Sequence, residues 1–301
     1  MDIYHEQSKN VWKTWLLMVT FLVVIVAIGY VFAAIYNNLL ILIIAIVFSL
    51  FMNFFSYWYS DKIVLAMYKA QPIVKEQNPE LWNVVENLSI TAGLPMPRVY
   101  IIPDAAPNAF ATGRNKEHAA VAVTSGLLQI LNRTELEGVI AHELSHIGNR
   151  DILISTVIIV LVGFVSILSQ IFLRGMMFGG GRRGGDKEGS NVIFILIGVA
   201  LAILSPIAVT LIQLAVSRKR EYLADASGAL LTRYPEGLAN ALRKISDNSQ
   251  PMKQASKATA HLFIANPFGS VGKKVSGLFS THPPVEDRIR ILMGSRGNFE
   301  K

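Results

Sequence analysis

The chain has 301 residues, 52% hydrophobic and 16% charged, against roughly 25% charged residues in an average soluble protein. Its net charge is +7 and it has no cysteine, which excludes disulfides and thiolate metal sites, so any zinc must be held by His, Asp or Glu. No basic stripe interleaved with aromatics occurs, so the positive charge points to membrane orientation and anionic lipid and not to nucleic acid.

The apolar residues are concentrated. No Asp, Glu, Lys or Arg occurs from Thr14 to Ser60, from Ile152 to Leu173, or from Gly189 to Ser217. Residues 1–13 read as a short polar head carrying Lys9 and Lys13. The apolar run from Thr14 breaks at Asn37-Asn38 and resumes from Leu39 to about Trp58. As one helix it would be about 70 Å long, more than twice the roughly 30 Å hydrocarbon core, so two spans joined by a tight turn are predicted. Trp15, Tyr36, Tyr57, Trp58 and Tyr59 fall where interfacial aromatics belong. The first run is too long for a signal-peptide core and reads as an uncleaved anchor. The Asn-Asn turn has no Lys or Arg while both flanks do, which places the N-terminus and everything after Tyr59 on the cytoplasmic side.

Residues 61–151 read as the first part of a compact domain. Pro79 followed by Glu80, Leu81, Val84, Val85 and Leu88 has helical periodicity, and Gly93 ends it. Strands are predicted at 99–102, 109–112 and 119–124, the last two separated by the turn Gly113 to Lys116. The segment Asn108-Ala109-Phe110-Ala111 is either an exposed strand edge able to pair with an extended peptide or an ordinary core hairpin.

Thr134 is expected to open a helix of about 14 residues with a capping box completed by Glu137, and Gly148-Asn149 to stop it. In its last turns stands His142-Glu143-Leu144-Ser145-His146. Residues four apart share a helix face, so both imidazoles can grip one metal ion while Glu143, one residue round, points into the same cleft as a base. Residues 152–217 form a second pair of apolar helices joined by a Gly-rich linker with Arg182, Arg183 and Lys187. The pair crosses the membrane twice or lodges as a hairpin on the inner side; crossing would place four basic residues outside.

Two histidines leave a catalytic zinc one protein ligand short. A metzincin would need Gly at position 149 and His at 152, where this chain has Asn149 and Ile152. Among the remaining candidates Glu221 stands out. It lies with Asp225 on one face of a helical stretch that opens the final part, residues 218–301. Glu221 can complete the ligand set while Asp225 orients a ligand imidazole. The alternative is that both acids pair with Arg218 and Arg220 on a solvated face.

The motif His142-Glu143-Leu144-Ser145-His146, the segment Arg220 to Asp225, Asn108 to Gly113 and Thr281-His282-Pro283-Pro284 together resemble the HtpX family of bacterial membrane zinc endopeptidases, related to the CAAX prenyl proteases. The resemblance covers nearly the whole chain. It implies a mainly α membrane protein with a small β-sheet: a gluzincin-type metalloprotease domain plus four hydrophobic helices, the hairpin 1–60 included. It implies one zinc per chain held by His142, His146 and Glu221, with Glu143 as the catalytic base. It further implies a site on the cytoplasmic face of the bacterial inner membrane and a role in cutting misfolded or damaged membrane proteins under stress. Beside zinc, a developing oxyanion needs another partner, and His282, held on a stiff segment by two prolines, is the candidate. The substrate would lie extended along Asn108, Ala109, Phe110 and Ala111.

Residues 246–274 read as a surface loop, with a flap over the cleft as the alternative, and residues 286–293 as a closing helix. An intramembrane site is disfavoured by the charges Glu135, Glu137, Arg150 and Asp151 around the motif. A catalytically silent zinc-bound membrane scaffold is the remaining rival, and the intact Glu143 argues against it, since structural zinc is closed by four protein ligands and needs no base.

Overall fold

The computed structural model describes residues 3–179, 198, 200, 204, 218–256, 259–269 and 283–294. Two helices, α1 (Ile3–Ile35) and α2 (Leu39–Met67), form the N-terminal hairpin. Asn37 adopts a left-handed conformation with φ 48°, which Asn tolerates better than other non-glycine residues. Asn38 caps α2 by accepting a hydrogen bond from Leu40 N at 3.0 Å. The two helices are long and apolar enough to cross a membrane over Asn10–Ile35 and Leu39–Met67.

Both differ from the sequence expectation at their polar ends. The head of residues 1–13 is helical from Ile3, and α2 continues past the expected boundary at residue 60 to Met67. The reason lies in packing. Asp61 is buried against Arg98 at 2.6 Å, and Val64, Leu65 and Tyr68 join a core with Phe110 and Phe263. The anchor therefore enters the folded domain without a linker.

The domain holds β1 (Gln71–Pro72), α3 (Pro79–Ala92), β2 (Arg98–Ile102), β3 (Ala109–Gly113) and β4 (Ala119–Thr124). The sheet order is β1-β2-β4-β3, with β2 and β4 parallel and β3 antiparallel to β4, which leaves β3 at an edge. After α4 (Ser125–Ile130) comes the central helix α5 (Arg133–Gly148). Its capping box is formed by Asn132 and Glu135, not by Thr134 and Glu137. Asn is a better cap than Thr, Glu135 Oε2 accepts from Asn132 N at 2.9 Å, and Glu137 is taken by Arg133 at 3.0 Å.

Arg150, at φ 58°, turns the chain so that α6 (Asp151–Gly179) leaves α5 at 82°. Leu153, Val157 and Leu161 of α6 pack on Leu17, Phe21 and Ile25 of α1. The linker and nearly all of the fourth apolar segment, on which the crossing of residues 152–217 depends, lie outside the described residues. Two helices follow, α7 (Arg218–Thr232) and α8 (Pro235–Asp247), and α9 (Val285–Gly294) closes the fold.

The stretch expected as a surface loop is different where it is described. Met252, Phe263 and Ile264 are buried, and Ile264 N donates to Ala109 O at 3.0 Å. Among the described residues it folds against β3 as irregular chain with one short 3₁₀ turn, Ala260–Leu262, which gives it no long-range periodicity.

Candidate metal and active site

The site is assembled by α5 and α7, and glycine permits their approach. A Cβ built on Gly228 would stand 3.0 Å from His142 N, so α7 lies directly on the backbone that carries the histidines. This contact brings Glu221 to the pair. His142 Nε2 and His146 Nε2 are 3.2 Å apart, and Glu221 lies 3.9 Å from the first and 3.6 Å from the second. Three ligands of a tetrahedral zinc, with bonds of about 2.0–2.1 Å, stand roughly 3.3 Å from one another. The donor set is two imidazoles and a carboxylate with no thiolate, and it fits one such ion.

The other ring nitrogens are held. His142 Nδ1 lies 2.9 Å from Asp225 Oδ1, and His146 Nδ1 lies 3.2 Å from Asp151 Oδ2. Each imidazole thus has a carboxylate that fixes its tautomer and leaves Nε2 for a metal. The sequence supplied Asp225; Asp151 it did not.

Behind these carboxylates stand two further side chains that sequence reading missed. Arg288 of α9, 1% exposed, makes a fork to Asp225 at 2.6 and 2.8 Å and reaches Ile264 O at 3.1 Å. Asn10 of α1 donates to Asp151 Oδ1 at 2.7 Å and to Asn149 O at 3.2 Å. Both carried a faint signal. Arg288 falls in the apolar stripe of Val285, Ile289 and Leu292, and Asn10 heads the buried stripe of Thr14, Leu17 and Phe21. A polar residue at a core position must have a buried partner.

Glu143 is buried beside the triad, and its Oε2 has no hydrogen-bond partner among the described residues. Burial pushes its carboxyl up to about 7; His146 opposes this, Glu221 adds to it, and a hydrogen bond from the Ala111 backbone again opposes it. Burial lowers His142. At His146 burial also works against the charged form, but Asp151 and Glu221 outweigh it and bring the ring to about 9. Burial likewise opposes the charge on Asp225, yet Arg288 and His142 hold it at about 2.

Asn108 immediately precedes the edge strand, and Ala109, Phe110 and Ala111 lie in it, all four buried. Asn108 spends its side chain on Ala265, and Ala109 O is taken by Ile264 N. Of the four, Ala111 reaches Glu143. His282 lies outside the described residues; the adjoining Pro283 is buried, and Pro284 O accepts from Arg288 N at the start of α9.

The model of Peptidase family M48 matches residues 75–295. The chain is 48% identical over 293 residues to a protein named Protease HtpX homolog from Caldanaerobacter subterraneus subsp. tengcongensis, covering 96% of this chain and 97% of that one. It is 50% identical over 282 residues to the Protease HtpX homolog of Pyrococcus furiosus, covering 93% and 94%. Among solved structures, the crystal structure of S. mikatae Ste24p aligns with a TM-score of 0.51 at 20% identity. That alignment covers 89% of this chain and 61% of the other, and it is a likeness of fold.

Proposed function

Since the chain belongs to peptidase family M48, among the HtpX-type proteases, we propose that this metalloprotease is a zinc endopeptidase of the bacterial inner membrane, facing the cytoplasm, which hydrolyses peptide bonds of misfolded or damaged membrane proteins. The observation that carries the reading is the unpartnered Oε2 of Glu143, buried on the same helix as both histidines.

His142, His146 and Glu221 would hold the ion. Zinc supplies Lewis acidity at such a site, polarising a carbonyl and making water more acidic. Glu143 does the proton transfer. Buried on the same helix as both histidines, with Oε2 unpartnered among the described residues, it can take a proton from water and return it to the leaving amine. A hydrogen bond from the Ala111 backbone holds the carboxylate, while Oε2 has no partner among the described residues. Asp225 and Asp151 keep the two imidazoles in the tautomer that offers Nε2.

An extended substrate would add to β3 beyond Ala109, where backbone pairing gives affinity with little side-chain preference. Breadth of that kind suits removal of damaged proteins. His282, placed just before Pro283, is proposed as the oxyanion partner. The uncharged Asn37-Asn38 turn between flanks containing Lys13 and Lys62 supports the cytoplasmic orientation.

The test is Glu143→Gln with zinc content and proteolysis measured together. The variant is expected to keep its zinc and lose cleavage by at least about 100-fold, the lower bound for general acid–base catalysis. Full retention of cleavage would remove Glu143 from its role. A wild-type protein that binds zinc and cleaves nothing would favour the silent scaffold.

A further inference from the structure

The depth of the site relative to the membrane can be read along two rulers. The first is α2, whose charge-free part from Leu39 to Trp58 spans about 30 Å, one hydrocarbon thickness. The exposed Trp58 and Tyr59 at its end therefore mark the boundary. The Arg114 guanidinium carbon lies 4.5 Å from the centroid of the Trp58 ring, which puts the β3–β4 turn at that level. Higher up, Tyr68 packs on Phe110 with ring centroids 5.9 Å apart.

From Trp58 to Tyr68 the helix rises about 15 Å. From Arg114 back to Phe110 the strand covers about 13 Å. The two distances agree, so β3 runs beside α2, away from the boundary. Ala111, which reaches Glu143, then stands about 10 Å out along the strand.

The second ruler is α1. Trp15 stacks on Tyr57 with centroids 6.0 Å apart, so both helices agree on the boundary. Asn10, which holds Asp151 behind His146, lies about 7.5 Å further along α1. The metal ligands and the base thus occupy one shallow layer beside the bilayer surface.

We propose, building on the protease reading above, that this site takes its substrates as extended stubs still attached to a bilayer-embedded span. It cuts them about three to six residues from the end of that span, the distance from Arg114 to Ala111 along β3 setting the lower limit. Position relative to the membrane selects the bond. Side chains around it matter little.

The test uses the full zinc-loaded chain in phosphatidylcholine–phosphatidylglycerol vesicles with single-span substrates whose tails repeat one cleavable sequence. Spacers of about three, six and twenty residues shift the sequence outward, and mass spectrometry locates the cut. The cut is expected to stay at the same distance from the boundary in every substrate. The same tail as a free peptide, at equal concentration, is expected to be cut at least about 10-fold more slowly, since anchoring raises its effective concentration at the site. Arg114→Ala is expected to spread the cut positions. A cut that moves outward with the inserted spacer, or a free tail cut as fast as the anchored one, overturns the ruler. Digestion of soluble unfolded casein separates the two readings: casein cleaved while anchored cuts follow the spacer removes the ruler alone, whereas no cleavage of any substrate removes the protease reading with it.

Discussion

Asn10, on the first membrane helix, donates its side-chain amide to Asp151 at 2.7 Å, and the other oxygen of that carboxylate meets His146 Nδ1 at 3.2 Å. A residue 136 positions before His146 (146 − 10) thereby orients a candidate metal ligand. The membrane anchor is part of the site's scaffold. Losing a hydrogen bond to a buried charge costs about 1.5–3 kcal/mol, and here it also leaves Asp151 Oδ1 to the looser contact with Arg220 at 3.7 Å.

Asn10→Ala is therefore expected to weaken zinc binding by about 10-fold, the low end for outer-shell partners, while Asp151→Asn approaches about 100-fold. Competition with a chelator measures both. Asn10→Asp should be worse than Ala, because it sets a second carboxylate against Asp151. Zinc affinity unchanged in all three variants would leave Asn10 as a packing residue only.

Arg288 plays the corresponding part for His142, with more at stake. Its side chain is buried together with Asp225, Glu221 approaches it at 3.8 Å, and its fork satisfies both oxygens of Asp225. Removing one partner of such a pair leaves an uncompensated buried charge and costs about 3–5 kcal/mol. Arg288→Met is expected to lower the thermal midpoint in detergent sharply. Adding Asp225→Asn should recover part of the loss, since it removes the carboxylate that the missing fork leaves unpaired. Equal destabilisation by the single and double variants would show that Arg288 acts through packing alone.

Gly228 tests the closeness of α7 to α5. A methyl there would stand 3.0 Å from His142 N and 3.2 Å from Ala141 C, both backbone atoms that cannot swing away. Overpacking of this kind costs about 1–3 kcal/mol. Gly228→Ala should also loosen zinc, because the helix that must shift carries Glu221. Gly163, whose added Cβ meets nothing within 4 Å, supplies the control, and Gly163→Ala should leave both stability and zinc intact.

Much of this site was legible in the sequence because its parts are local. The helix with two histidines and a glutamate follows from spacing, and Asp225 follows Glu221 by one helical turn. The three strand segments were marked by β-rich runs between turn residues. What the sequence could not supply were partners joined only by tertiary contact. Arg288 meets Asp225 across 63 positions and Asn10 meets Asp151 across 141; no local period connects them. Two capping pairs compete for the helix start, and Asn132, the better cap, takes it two residues before Thr134; the described chain around Phe263 carries no period because it holds one short 3₁₀ turn, Ala260–Leu262, between irregular stretches. The continuation of α2 to Met67 shows the same limit from the other side, since Asp61 reads as a solvent signal until Arg98 is placed beside it.

The charge states of the metal-free site predict how zinc loading depends on pH. His146 is raised to about 9, so at neutral pH it carries a proton that the metal must displace. Glu143, near 7, is half protonated there and loses its remaining proton beside a dication. Zinc binding at neutral pH should thus release roughly one to two protons, and apparent affinity should rise about tenfold per pH unit from 7 toward 9 before levelling off. The linked effect on the metal-free fold has a definite sign. His146 has a folded pKa above its unfolded value of about 6.5, so its contribution to stability is fully present below pH 6.5 and is lost as the pH rises through 9. Calorimetry in buffers of different ionisation enthalpy counts the protons, and thermal unfolding of the zinc-free protein between pH 6 and about 9.5 follows the stability. Asp151→Asn removes the main cause of the raised pKa, so it should flatten both profiles while weakening zinc; profiles as steep as the wild type's would mean that the proton sits elsewhere.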